Sequence, residues 1–180
     1  MVDGDFNRKG TSAFSNLMGK QIAAKGVTVL DDGTMKNRRG SVTFDDEGTP
    51  SARNVLIEDG KVVSYMQNRQ NARLMNVKAT RNGRCESYVH IPIPRMKKTF
   101  MLSGTDNPQS FLNELKTGIW STGYGGGQVD ITNGKFVFSC TEAYMVENGK
   151  IGAPIKGATL IGDGATALKQ IRGVGNDMEM

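Results

Sequence analysis

The sequence predicts a β-rich α+β domain, built largely of antiparallel hairpins and a meander forming a sandwich or barrel-like sheet, with two or three short helices. Three observations carry this. Asp-Gly and Asn-Gly dipeptides recur between alternating apolar runs, and such pairs supply the positive φ that tight hairpins need. The chain holds 23 glycines but only 7% aromatic residues, a turn-rich composition. Only one stretch has a complete set of helix start signals.

Taken in order, Thr11 to Ile22 has Phe14, Leu17, Met18 and Ile22 at helical spacing, which predicts a short helix weakened by Gly19. From Val27 the pattern turns to β. Val27 to Leu30 leads into Asp31-Asp32-Gly33-Thr34, and Val42 and Phe44 alternate with polar neighbours before Asp45-Asp46-Glu47-Gly48. Asn54 to Glu58 then turns at Asp59-Gly60 into Lys61 to Tyr65, the clearest hairpin in the chain. Gln67 to Met75 reads as a short helix, Tyr88 to Pro94 as an extended segment enforced by Pro92 and Pro94, and Thr99 to Leu102 as a strand. Asn107 caps a helix with Pro108 at its first position, Phe111, Leu112 and Leu115 on one face, and a stop at Gly118. Beyond the run Gly125-Gly126-Gly127 come Val129 to Ile131, Phe136 to Met145, Lys150-Ile151 and Ile155 to Ile161. Asn133-Gly134 and Asn148-Gly149 are the hairpin turns, and a helix over Ala165 to Arg172 follows.

At 180 residues the chain is read as a single domain over 1–180, a size at which roughly 70% of the unfolded surface is buried. No apolar run approaches the roughly 20 residues that span a bilayer, and Met1 to Asp5 lacks the features of a signal peptide. The expected setting is therefore cytoplasmic, without a membrane partner. Cys85 and Cys140 show no Cys-x-x-Cys spacing and fit two reduced thiols. The net charge of +5 is spread over scattered basic residues, which argues against a nucleic-acid face.

Familiar catalytic patterns are mostly missing. His90 is the chain's single histidine, and no Gly-x-Ser-x-Gly elbow accompanies it. Cys85, Glu86 and His90 would need a further ligand to make a zinc site. His90 is read either as a half-buried structural residue or as a substrate contact. Gly162-Asp163-Gly164-Ala165-Thr166-Ala167 superficially fits a dinucleotide fingerprint, but no βαβ unit surrounds it, so Asp163 is read as a helix cap. The clusters Asp31-Asp32 and Asp45-Asp46-Glu47 are expected to be solvated turn residues. Two readings of the glycine run stay open: a turn of unusual dihedrals, or a backbone rail on which an extended peptide pairs by β-addition.

Several blocks, in order along nearly the whole chain, carry a resemblance. They include Asp3-Gly4-Asp5-Phe6-Asn7-Arg8-Lys9-Gly10, Arg38-Arg39-Gly40-Ser41, Asp45-Asp46-Glu47-Gly48-Thr49-Pro50 and Asn71-Ala72-Arg73-Leu74-Met75. Gly83-Arg84-x-Glu86-Ser87-Tyr88-x-His90, Pro94-Arg95-Met96, Gly125-Gly126-Gly127-Gln128-Val129-Asp130, Lys156 to Gly162 and Gly175-Asn176-Asp177 continue it. Together they resemble the TldD/PmbA family of zinc metallopeptidases, and its TldD branch in particular.

The resemblance implies a cytoplasmic, zinc-dependent peptidase of two related subunits that acts on extended peptides, with an older label as a modulator of DNA gyrase. It also implies that zinc is held by His-Glu-x-x-x-His, just before the segment matching Val2 to Phe6, and by a cysteine beyond the segment matching Gly175 to Asp177. Cys85 falls where relatives commonly carry arginine, and Cys140 where they carry a small residue. This chain is thus expected to be the C-terminal domain without a metal site of its own, inactive alone, with zinc belonging to the intact enzyme. The other readings are a non-catalytic partner subunit and a nucleic-acid-associated regulator. Expected partners are an extended peptide and either a second copy or a related TldD/PmbA subunit. Polarity and placement nominate Gly125, Gly126, Gly127, Gln128, Asp130, Arg84, Glu86, His90 and Arg95 as the peptide-binding residues.

Overall fold

A computed structural model describes residues 1–178. The chain divides into two compact units, Met1–Leu102 and Ser103–Met180. Both are β-rich with antiparallel strand pairs, four short helices lie along the described chain, and neither sheet closes into a barrel.

The first unit is built on a four-stranded sheet. Its strands are β1 (Val29–Asp32), β2 (Arg53–Glu58), β3 (Lys61–Val62) and β6 (Thr99–Met101), in the order β3-β2-β1-β6. The β2–β3 turn is the predicted one: Asp59 and Gly60 both have positive φ, 46° and 78°, the geometry of a type I′ hairpin. Phe14, Val27, Leu30, Leu56 and Val62 are almost wholly buried against this sheet's neighbourhood and form the core. Two short helices accompany it, α1 (Gly4–Arg8) and α2 (Arg69–Leu74), and a two-stranded ribbon pairs β4 (Gly83–Arg84) with β5 (Ile93–Pro94).

The helix expected over Thr11 to Ile22 does not form. Asn16 and Gly19 adopt left-handed φ values of 61° and 74°, which interrupt any right-handed helix, and the segment runs as turns that bury Phe14 and Ile22. The helix lies earlier, over α1, where Asp3 caps it by accepting from the Asp5 and Phe6 amides. Val42 and Phe44 build no strand; Phe44 makes only an isolated bridge to Pro50.

The second unit holds α3 (Pro108–Glu114), capped by Asn107 as predicted but ending before Gly118. Two 13-residue strands follow, β7 (Thr117–Val129) and β8 (Lys135–Glu147). Along the other edge of β8 run β9 (Lys150–Pro154), against its second half, and β10 (Thr159–Asp163), against its first half. The predicted antiparallel strands form around β8, but β9 and β10 both pair with β8 rather than with each other, and residues 155–158, expected in the last strand, lie between them. Asn148 and Gly149, with φ of 48° and 77°, make the tight β8–β9 turn. At the β7–β8 turn only Gly134 is left-handed, so a longer loop replaces a two-residue hairpin. The final helix, α4 (Gly164–Lys169), begins at Asp163, whose carboxylate accepts from the Thr166 amide at 2.8 Å. The Gly162-Asp163-Gly164 segment is therefore a capped helix start.

Candidate functional site

The glycine run lies inside β7, in extended backbone. None of Gly125, Gly126 and Gly127 has positive φ, so the reading as a turn of unusual dihedrals is set aside. Pairing with β8 steps from Tyr124↔Cys140 to Gly127↔Phe138, which places one extra residue on β7: a β-bulge at the glycines. The three glycines have different reasons to lack a side chain. A Cβ on Gly127 would run into the Phe138 ring and the Val137 carbonyl, and one on Gly125 would press on Thr141, whereas one on Gly126 would meet open space. β7 is the terminal strand of its sheet, and among the described residues no strand pairs its second edge. All residues from Tyr124 to Asp130 are exposed.

Within this strip Gln128 makes no side-chain hydrogen bond among the described residues. Asp130 is committed to the turn: its carboxylate accepts from the Thr132 amide at 2.9 Å, the Thr132 hydroxyl at 2.5 Å and Asn133 Nδ2 at 2.7 Å. The Thr132 hydrogen bonds hold its pKa below the usual carboxylate range.

The other four nominated residues gather in the first unit, on a ribbon anchored by buried polar groups. Asp31, fully buried, accepts from the Lys97 amide (2.8 Å), the Thr99 hydroxyl (2.8 Å) and Asn82 Nδ2 (2.6 Å). Asn82, equally buried, also donates to the Arg95 carbonyl, accepts from the Thr80 hydroxyl, and uses its backbone carbonyl to take the Arg95 amide. Asp46 accepts from the Cys85 amide at 2.7 Å, and Asp45 from the amides of Glu47, Thr49 and Gly83. Glu47 takes the Arg69 amide at the start of α2, beside the Asn68 cap.

The acidic clusters are therefore solvated only in part: Asp31, Asp32 and Asp45 are buried, whereas Asp46 is exposed in its turn. Asp31 and Asp45 satisfy interior donors that would otherwise be orphaned, whereas Asp32 closes a local turn on the amide and hydroxyl of exposed Thr34. Lys97 is buried with them, its Nζ donating to Ser51 at 2.9 Å; desolvation pulls its pKa down, opposed by Asp45 and Asp31.

On this ribbon Arg84, Cys85, Glu86, Ile93, Arg95 and Met96 line a cleft of about 590 Å³. Arg84 Nε is buried 3.4 Å from Asp46 Oδ2, within ion-pair reach but off hydrogen-bond geometry. His90 lies beside the cleft residues and is exposed, with Nδ1 2.8 Å from the Ser87 hydroxyl and Nε2 4.0 Å from Glu86. About half of the His90 side chain is covered, and its hydrogen bond is to a hydroxyl rather than to backbone or carboxylate. Residue-level reading took Asp31 for a turn residue and missed Asn82 and Lys97, whose only sequence signal was that they adjoin the matching family blocks at 83–90 and 94–96.

Among the described residues no group of three or more His, Cys, Asp or Glu side chains converges to hold a metal. The described residues do not fit a zinc centre.

The two units, an antiparallel β scaffold with a polar-anchored ribbon and a bulged edge strand, match a peptidase domain class: the PmbA/TldA metallopeptidase C-terminal domain, over residues 1–180. The chain belongs to that family. It is 54% identical over 179 residues to the metalloprotease TldD homolog of Buchnera aphidicola (subsp. Acyrthosiphon pisum), covering 99% of this chain and 37% of that protein. With the Haemophilus influenzae TldD homolog the identity is 52%, again over 99% of this chain and 37% of the relative. The chain thus spans little more than a third of the length of these relatives. Among solved structures, a Thermotoga maritima protein described as a modulator of a DNA gyrase superposes with a TM-score of 0.86 at 26% identity, over 98% of this chain and 40% of that one. TldE from Thermococcus kodakarensis shares the fold, with a TM-score of 0.80 at 22% identity over 94% and 38% of the two chains. No helix among the described residues is long and apolar enough to cross a membrane.

Proposed function

We propose that this chain is the substrate-facing C-terminal domain of a TldD-like zinc-dependent peptidase, holding extended peptides by β-addition along β7 and inactive by itself. The observation that carries this reading is the bulged, exposed glycine segment of β7, extended and without a strand on its second edge. An edge of this kind offers unpaired N–H and C=O groups to any extended chain, and small side chains let that chain approach closely. Recognition through backbone is indifferent to sequence, which suits a peptidase of unfolded segments. Gln128 flanks the rail as a side-chain donor and acceptor, while Asp130 shapes its end. The partners are an extended peptide and a second copy or a related TldD/PmbA subunit. A cytoplasmic setting agrees with Cys85 and Cys140 as free thiols.

Two measurements test this. The purified chain supplied with zinc is expected to release no product from unfolded peptides; sustained, chelator-sensitive cleavage contradicts the inactivity. In the full-length protein, peptides of scrambled sequence are expected to compete nearly equally, and peptides N-methylated at alternate residues to compete poorly. Equal competition by the N-methylated set would remove β-addition from the account.

A further inference from the structure

We propose that the β4–β5 cleft binds a carboxylate of the peptide substrate between Arg84 and Arg95. This rests on the reading that the substrate is a peptide. Strand register brings the two arginines together: Arg84 pairs with Ile93, so Arg95, two residues further on, lies on the same ribbon face at the diagonal position. Diagonal neighbours are separated by about 7–8 Å, a gap that two long side chains can close around one planar group. Both line the cleft, with Ile93 between them in the ribbon.

The guanidinium groups are available. Arg95 is exposed and makes no side-chain hydrogen bond or ion pair among the described residues; Arg84 engages Asp46 through Nε alone. Their terminal nitrogens are thus uncommitted, and a guanidinium fork matches a carboxylate in a planar, two-bond fashion. The backbone beneath is fixed, since Arg95 both donates its amide to Asn82 and accepts from the Asn82 side chain, itself bonded to buried Asp31.

The remaining lining defines the ligand further. Glu86 is the one acidic lining residue, its side chain 84% exposed and 4.0 Å from His90 Nε2. A carboxylate at the rim repels highly charged anions, so one carboxylate is favoured over a polyanion. Ile93 and Met96, 48% and 61% exposed, offer apolar surface to the side chain beside it. The carboxylate has two sources in a peptide, the free C-terminus or an internal Asp or Glu.

The test uses the full-length protein, with chelator present to stop turnover, and fluorescently labelled peptides in four forms: free acid, C-terminal amide, Asp/Glu replaced by Asn/Gln, and backbone N-methylated. A charge-assisted pair of this kind is worth about 10- to 100-fold in affinity. The expected result is a loss of that size with the amide if the C-terminus docks, or with the Asn/Gln peptide if a side chain does. Arg95→Gln is expected to abolish the difference and Arg95→Lys to restore part of it. Arg95 has no side-chain partner to lose, and an unchanged unfolding midpoint verifies the fold of the variant. Equal binding of acid, amide and Asn/Gln forms overturns the carboxylate site, as does an Arg95→Gln variant that weakens every form alike. Loss with N-methylation but not with neutralisation leaves the β7 rail standing without this site, and the reverse pattern leaves the site without the rail.

Discussion

Asp31 accepts three hydrogen bonds with no solvent exposure, and its donors lie 51 to 68 residues away in the chain. Removing the carboxylate leaves the Lys97 amide and one of the two Asn82 Nδ2 hydrogens without an acceptor in the interior, and releases the half-buried Thr99 hydroxyl. Asp31→Ala is therefore expected to cost about 3–5 kcal/mol, measured by denaturant unfolding, while an equivalent change at exposed Glu58 costs little. Nothing in Asp31-Asp32-Gly33 announces this, because an Asp-Asp-Gly triplet is also what a solvated turn looks like. Burial was decided by partners that only the tertiary fold supplies. Asp163 is the opposite case, legible from its neighbours alone as a cap. Backbone hydrogen bonding from Thr166 depresses its pKa. A depressed carboxylate contributes stability that is present above its unfolded value of about 3.9 and is lost as pH falls through the folded one. Below about pH 4 the α4 amides are expected to lose protection in wild type, whereas Asp163→Asn, which keeps an acceptor without a charge, shows a flatter pH response. Identical pH profiles would contradict the assignment.

Elements with local chemistry were legible. Asp59-Gly60 and Asn148-Gly149 supply two successive positive φ values, and Asn107-Pro108 starts a helix whatever surrounds it. The segment 11–22 misled because its apolar spacing suits a helix while Asn16 and Gly19 take left-handed φ to bury Phe14 and Ile22. The glycine run was half legible: three glycines announce exposed backbone, but only the register shows a bulge in a continuous strand. That difference has consequences for substitution. Gly127→Ala is expected to destabilise by about 1–3 kcal/mol, because its Cβ meets the Phe138 ring and the Val137 carbonyl. Gly126→Ala, with open space around its Cβ, is expected to change stability by no more than about 0.5 kcal/mol. Thermal unfolding of the pair checks this, and equal destabilisation would contradict the bulge geometry.

For the molecule as a whole, the family was readable from ordered blocks of sequence, whereas the roles of single residues were not. The pairing of Arg84 with Arg95 depends on β4–β5 register, and the commitment of Asp130 to a turn depends on Thr132 and Asn133. The first arrangement leaves no mark in composition or spacing, whereas the second is a local Asp turn beside Asn133-Gly134 whose residue types were visible in the sequence. We propose that residues 1–180 unfold as one cooperative domain; two resolved transitions, with a boundary near Leu102, would contradict that. The central claim, that β7 holds the substrate as an added strand, is most directly tested by amide hydrogen exchange on the full-length protein with and without an extended peptide that is not cleaved. The account predicts new protection concentrated at residues 124–129, and unchanged exchange across that segment on a saturated complex would contradict it.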